Sequence, residues 1–585
     1  MNYKLRTKDE QGKKITFGDA FRSLKPLLRD EKRQLFVAFF AIALTSVANL
    51  LAPMIIAKTI DTYIVAKNFH GVLVNAGILL VVYGVAVAAQ YWQTMAMGGV
   101  GRRVLFNLRN KIFNKLQELP VAFFNANKSG DLISRINNDT DKLNQFFSQA
   151  LMQFVGNFFI MAGAGIFMLS LHIRLGLATL APAFVVIVIT QMLSPWVKRV
   201  STESLQSLGA MSAEIQESLA NFKVVVAFNR LDFFRTKFAE ANDRNYRSSV
   251  RAGIASNTLV PIYAVASSLA QIVVLAYGFA LIASGNLTFG LLIGFMLYVN
   301  NFYTPLRQLA SIWATMQLAM ASLDRISEVL DFETTIKVVD HTKSITTPGI
   351  LTFERVFFGY STGKDILRDV SLTLQKGSTY ALVGPTGGGK TTTASLMARL
   401  YDPTMGTIYL AGRDIRSYSQ AERAKKIGFI LQEPFLFTGT VAENIIYGND
   451  AYESFSSEQL LAVLKDEGLD SLLARFESGL DTKVGASDSI SLGQKQLIAF
   501  MRAVLRRPEI LILDEATANI DTVTEQMLEE ILQKLPADTT KVIIAHRLNT
   551  IQNADDIFFV NGGEVIDAGS FDHAMEMLLS GKRTS

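Results

Sequence analysis

The chain has 585 residues, 49% of them hydrophobic and 19% charged, with a mean hydropathy of +0.26. That is too apolar for a soluble enzyme of this length and points to a membrane protein. Cysteine is absent, which excludes disulfides, thiol nucleophiles and Cys-ligated metal centres. Charge is unevenly spread: up to Leu330 there are 32 Lys and Arg against 18 Asp and Glu, and beyond it 25 against 34. The basic half is the apolar one, so its charge is read as membrane topology rather than as a nucleic-acid surface. The first residues mix both charge signs before any apolar run, unlike a signal or transit peptide.

Uncharged windows of about 20 residues locate membrane spans, because a charge at the bilayer centre costs several kcal/mol. The first window runs from Phe36 to Ala57 and the second lies within Gly71 to Gly101. A third falls between Leu143 and Ile173, and a fourth between Leu175 and Val197. From Ala252 to Leu306 the chain is again uncharged, long enough for two helices joined at Ser284-Gly285-Asn286. The expectation is therefore an all-α membrane domain of six long helices. The polar residues inside the windows are Asn49, Gln90, Gln93, Gln153, Asn157, Gln191, Asn257, Gln271, Asn300 and Asn301; each is read first as a hydrogen bond between helices, and lining a substrate path is the alternative.

The loops orient this bundle. Arg102 to Lys142 holds eight Lys or Arg and Lys198 to Arg251 holds nine, whereas the alternate loops hold only Lys58, Lys67 and Arg174. By the positive-inside rule both termini and both long loops are cytoplasmic. SLQSLGAMSAEIQESLANFKVVVAF has apolar residues at helical spacing, so the long loops are predicted to extend the spans as helix beyond the bilayer. No midplane acid or base marks an ion-coupled carrier, so the energy for any transport comes from elsewhere.

After a polar junction at 331–348 the pattern changes to short β-branched runs alternating with amphipathic stretches, as in a soluble α/β domain. TYALVG reads as a buried strand. It leads into GPTGGGKT and then a helix-like KTTTASLMARL, which places a P-loop between strand and helix as its mechanism requires. Glycines there let backbone N–H groups approach phosphates, Lys390 supplies a point charge and the Thr391 hydroxyl can ligate Mg²⁺. A second strand, ILIL, ends in Asp514 and Glu515, acids suited to coordinating Mg²⁺ and polarising an attacking water.

With these residues in view the chain resembles, over essentially its whole length, an ABC transporter half of the exporter type. The resemblance divides it into a membrane domain at 1–330, a linker at 331–348 and an α/β P-loop ATPase domain at 349–585. It implies ATP and Mg²⁺ as ligands. Tyr360 in VFFGYS matches the aromatic that stacks on adenine, and the P-loop contacts fall on Gly384, Pro385, Thr386, Gly387, Gly388, Gly389, Lys390, Thr391 and Thr392. Gln432 in ILQEPF matches the Q-loop residue, so Thr391, Gln432 and Asp514 are the implied metal set. Ser491, Gly493 and Gln494 of ISLGQ match the signature motif, Asp521 the D-loop, and Glu515, His546 and Gln432 the catalytic group. Turns near Leu119 to Asn125 and Phe222 to Arg230 resemble the coupling helices of the family.

One departure stands out. The family's signature is usually LSGGQ, and here Leu492 replaces the first of its two glycines; KVGASDS also lacks the acid that many relatives have after Val-Gly. The Leu492 side chain is expected to crowd a backbone that must approach phosphate closely. With Glu515 and His546 intact, the chain looks like the catalytic-Glu-bearing subunit of a heterodimeric bacterial multidrug exporter. The resemblance then implies a different partner half with a normal signature and a replaced catalytic Glu, in a multi-pass cell membrane protein contacting lipid and small hydrophobic substrates. Aromatic and Met-rich spans agree with amphipathic cargo. A flippase for lipid or lipid-linked sugar, and a homodimeric exporter, are the alternatives.

Overall fold

The computed structural model describes residues 3–5, 29–332, 338–339, 349–360, 364–485, 490–514, 522–544 and 551–580. The chain forms two compact units, one of Lys8–Lys115 with Gly130–Asp331, the other of Met1–Thr7, Leu116–Ser129 and Phe332–Ser585.

The first unit is helical. Lys32–Ile64, Phe69–Gln117, Ser129–Leu171, Ile173–Ala220 and Leu231–Ala283 are the five helical stretches long and apolar enough to cross a membrane among the described residues. A further helix, Phe289–Leu330, follows the turn at Ser284-Gly285-Asn286, where Gly285 takes φ +74°. At 1.5 Å per residue the 48 and 53 residues of the fourth and fifth helices span roughly 70–80 Å, against a hydrocarbon core of about 30 Å. These two helices run antiparallel, as shown by contacts between Thr190 and Tyr263, Ser204 and Ser249, and Glu214 and Lys237. The outer surface of the unit is apolar, with Leu80 75% and Phe36 71% exposed, a surface that only lipid or another apolar partner stabilises.

Four of the polar residues singled out from sequence join helices, in two pairs. Gln271 donates to Asn300 Oδ1 at 3.2 Å and Asn301 to the Asn49 carbonyl at 3.0 Å. Asn257 instead bonds to the Gly253 carbonyl of its own helix. Near the end of Phe289–Leu330 lies a buried ionic network. Arg135, 1% exposed, donates to Asp131 at 3.0 Å and Glu328 at 2.9 Å, while Arg325 pairs with Asp131 at 2.5 Å and Asp139 at 2.8 Å. Ser322 and Lys142 add to the shell of Asp139, each at 3.1 Å.

The other unit carries the sheets. Its strands are β1 Leu351–Phe358, β2 Leu367–Leu374, β3 Thr379–Val383, β4 Met405–Leu410, β5 Arg413–Asp414, β6 Ile427–Ile430, β7 Gly439–Thr440, β8 Lys483–Val484, β9 Ile510–Asp514, β10 Thr540–Ile544, β11 Asp556–Asn561 and β12 Glu564–Asp567. The main sheet has the order β12-β11-β3-β10-β9-β6, parallel except for β12. A second sheet, β2-β1-β4-β5, is antiparallel. Leu351, Phe353 and Leu372 share one apolar core with Leu382, Ile512 and Val542 of the main sheet. A separate core joins Leu464 and Leu472 to Leu497, Phe500 and Met501 of the helix Leu492–Val504. Both long apolar strands that precede the motifs, β3 and β9, are central in the sheet, which is why TYALV and ILIL carry no alternation.

Candidate functional site: a phosphate cradle and a signature helix

The carboxyl ends of β3 and β9 lie two strands apart in a parallel sheet, and the chain builds its polar chemistry there. Gly384 leaves β3 at φ +142°, and a Cβ on it would lie 2.1 Å from the Val560 carbonyl oxygen. Gly388 has the same neighbour, at 2.5 Å. Gly389, at φ +118°, is the N-cap of the helix Lys390–Met397. The loop therefore packs its backbone directly on β11, an approach that only glycine permits. Pro385, Thr386 and Gly387 form an exposed lip, whereas Lys390 is 6% exposed, its ammonium donating to the carbonyls of Gly384 at 2.8 Å and Pro385 at 3.1 Å. Backbone N–H groups, a helix N-terminus and a lysine thus converge where an anion is favoured.

Asp514 closes β9 and is 2% exposed. The Thr391 hydroxyl donates to its Oδ1 at 3.3 Å, so the hard oxygen donors that a Mg²⁺ ion takes stand together. Gln432 is exposed two residues beyond β6, the strand beside β9, and so stands at the same edge of the sheet. Asn444 and Arg502 hold the segment that follows it. Asn444 bonds Phe437 through both N–H and carbonyl, and Arg502 donates to the Asn444 carbonyl at 2.7 Å and the Phe435 carbonyl at 3.2 Å. Burial pushes the Arg502 guanidinium below its ordinary pKa.

Tyr360 is half exposed. Its hydroxyl lies 3.1 Å from Thr392 Oγ1, and its ring packs edge-on against Phe358 and Tyr401, with centroids 5.0 Å away in both cases. A planar base can therefore stack on a ring fixed at the start of the P-loop helix.

The signature residues lie on a separate element. Ser491 is the N-cap of Leu492–Val504 and forms a capping box with Gln494, with distances of 3.2 and 2.9 Å. Gln494 Nε2 also donates to the Arg475 carbonyl at 2.6 Å, so both ends of this amide are engaged within the chain. Leu492 occupies the first helical position with a negative φ and is 39% exposed. Leucine is thus unstrained there, and its side chain reaches outward rather than into the core. Glu515, Asp521 and His546 lie outside the described residues, as does the Ala486–Ser489 part of KVGASDS.

Sequence reading missed Tyr401, Asn444 and Arg502. The S-x-x-Q spacing of Ser491 and Gln494 carried a capping signal beside its nucleotide signal. Arg502 left no local pattern, because its partners Phe435 and Asn444 lie 67 and 58 residues away, and Asn444 closes a local turn that no motif marks.

Comparison with known proteins identifies the family and the fold. The family described as "ABC transporter transmembrane region" matches residues 35–306, and the family "ABC transporter" matches residues 367–518. The ABC transporter ATP-binding protein YfiC of Bacillus subtilis is 34% identical over 556 residues, covering 94% of this chain and 91% of its own length. The fatty acid ABC transporter ATP-binding/permease protein of Mycobacterium tuberculosis is 33% identical, covering 86% and 79%. The multidrug resistance ABC transporter ATP-binding and permease protein of Lactococcus lactis subsp. cremoris is 32% identical, covering 91% and 90%. In fold, the chain matches a bacterial Atm1-family ABC exporter with ATP bound, at a TM-score of 0.78 and 24% identity over 94% of this chain and 97% of the other. The chain belongs to the ABC transporter family, as an exporter-type half-transporter in which a multi-pass membrane domain and an ATPase domain share one polypeptide.

Proposed function

We propose that the chain is the hydrolysing half of a heterodimeric exporter that moves hydrophobic or amphipathic compounds out across the cell membrane. In this reading residues 1–330 are the membrane domain and 349–585 the ATPase, both termini are cytoplasmic, and the host is bacterial. ATP is held by Tyr360 and the Gly384–Thr392 loop. Mg²⁺, held by Thr391, Asp514 and Gln432, supplies charge neutralisation on the phosphate oxygens. Glu515 polarises the attacking water and His546 contacts the terminal phosphate, while Ser491, Gly493, Gln494 and Asp521 face the partner's nucleotide.

The observation that carries the heterodimer is Leu492. It sits unstrained and exposed at the N-terminus of a helix whose partner ligand is expected to approach the backbone closely. An exposed isobutyl group at that position occupies space that a glycine leaves to the phosphates, so this signature is suited to a site that binds without turning over. An apolar cargo is supported by a cavity of about 620 Å³ between the fourth and fifth helices, lined by Ala178, Pro182, Val185, Pro261, Val265 and Leu269. Its walls offer no charged group, in keeping with cargo recognised by apolar contact. A relative named as a multidrug exporter supports the same reading. The fatty acid transporter among the relatives keeps lipidic cargo as the second reading.

The test is to purify the chain expressed alone and with a co-encoded second half. The proposal predicts full cargo-stimulated ATPase activity only for the pair, with one turnover site per dimer. A homodimer with two equivalent turnover sites and full stimulation overturns it.

A further inference from the structure

The unit that holds the ATPase also contains residues 116–129, and the contacts between the two are specific. The short helix Val121–Ala126 buries Phe123, whose ring packs edge-on against Phe332 with centroids 5.3 Å apart. Asn127 ties its end down, donating to the Phe123 carbonyl at 2.7 Å and the Tyr3 carbonyl at 2.8 Å, and accepting from Leu5 N at 2.9 Å. From this anchored turn Asn125 donates to the hydroxyl of Tyr401.

Tyr401 is tightly placed on its other side. It follows the P-loop helix Lys390–Met397, and the neighbouring Arg399 is buried, with hydrogen bonds to Asp402 at 2.9 Å, the Ile415 carbonyl at 3.2 Å and the Tyr418 carbonyl at 3.3 Å. The Tyr401 ring lies nearly perpendicular to Tyr360, at 83° and 5.0 Å, and against Phe358 at 5.5 Å. Burial raises the pKa of the Tyr401 hydroxyl above its ordinary value. One side chain thus touches the base-stacking ring with its edge and the first long loop with its hydroxyl.

We infer that Tyr401 is the positioning residue through which the first long loop reads base occupancy at this chain's own P-loop. A base seated on Tyr360 fixes that ring, and close-packed rings transmit the displacement to Tyr401 rather than absorbing it. Movement of the Tyr401 hydroxyl then reaches Asn125, and the anchors at Phe123 and Asn127 carry it into the turn as a unit. The inference rests on the proposal that Tyr360 receives the base of ATP.

The native lack of cysteine makes the test direct. A single thiol introduced by Lys128→Cys, on the same turn, carries an environment-sensitive fluorophore in the full chain assembled with its partner half in lipid nanodiscs. ATP is titrated in EDTA to prevent turnover, and equilibrium dialysis gives its affinity separately. Tyr401→Phe keeps the ring and should bind ATP within about twofold of the parent, while most of the ATP-dependent signal at the loop is lost. Asn125→Ala, at an exposed position, should do the same, and the double variant should lose no more than either single one. A full signal in both single variants overturns the inference, as does a parent that binds ATP with no signal at the loop. A parent that binds no ATP overturns the nucleotide reading itself, and the inference with it.

Discussion

Thr391 donates its hydroxyl to Asp514 Oδ1 across 3.3 Å, which ties the first turn of the P-loop helix to the end of β9. Two motifs 123 residues apart in sequence thereby become one site. Asp514→Asn keeps the shape and removes the charge. It should leave the domain folded but lower ATP turnover by about 10²- to 10³-fold, the usual size of one lost electrostatic contact to a reacting centre. Steady-state ATPase assays with varied Mg²⁺ check this, and the loss should not be restored by excess metal.

Gly384→Ala should abolish nucleotide binding by a backbone effect. The new Cβ would stand 2.1 Å from the Val560 carbonyl oxygen, at a φ of +142° that alanine disfavours. Carbonyl and loop must separate, at a cost of about 1–3 kcal/mol. Isothermal titration with ATP and a thermal melt of the same sample separate loss of binding from loss of fold.

The spans were legible because membrane physics acts on contiguous windows, and the charge-free runs from Phe36 to Leu306 fall on long helices of the structure. The phosphate cradle was legible for a similar reason: Gly384 to Thr391 are consecutive, and after Thr379 the β3 strand before them is buried and carries no alternation. What escapes the sequence is long-range. Arg135 enters there only as loop charge, yet it is buried against Asp131 and Glu328, and Glu328 lies 193 positions away. Tyr401 carries no motif, since its meaning comes from the rings and the asparagine that the fold brings to it. Sequence alone says that Leu492 stands where a backbone is to approach phosphate, but not that it takes an ordinary position at the start of a helix with its side chain exposed, which depends on how the fold ends the preceding segment.

The buried network around Arg135 makes a stability prediction. Arg135→Met takes the buried cation from Glu328 and one of two cations from Asp131, which keeps Arg325; because both carboxylates are partly exposed, the cost should fall below the roughly 3–5 kcal/mol of a fully buried pair. Unfolding of the detergent-solubilised chain should occur at markedly lower temperature. An Arg135→Met, Glu328→Met double variant should recover part of the loss, because fewer charges are stranded.

Asp556 and Asp567 predict a pH effect in the ATPase domain. Burial, and then the charge of Asp567, raise the Asp556 carboxyl above the usual range. The fold therefore binds this proton more tightly than the unfolded chain does. Its contribution to stability is fully present below the unfolded carboxylate value and is lost as pH rises through the raised folded value. Asp567→Asn removes the repulsion and keeps an oxygen to accept from Gly569 N. The variant should melt higher than the parent near about pH 7 and equally near about pH 3.

In the proposed function, this chain's own P-loop, Asp514 and Glu515 hydrolyse the ATP that drives export. Its most direct test is Glu515→Gln in the assembled transporter, with ATP affinity, ATPase rate and uptake of a fluorescent amphipathic dye into inverted vesicles measured on one preparation. The account predicts ATP binding within about threefold of the parent, with turnover and dye transport both reduced by at least about 10²-fold. Turnover and transport within a few-fold of the parent would contradict it.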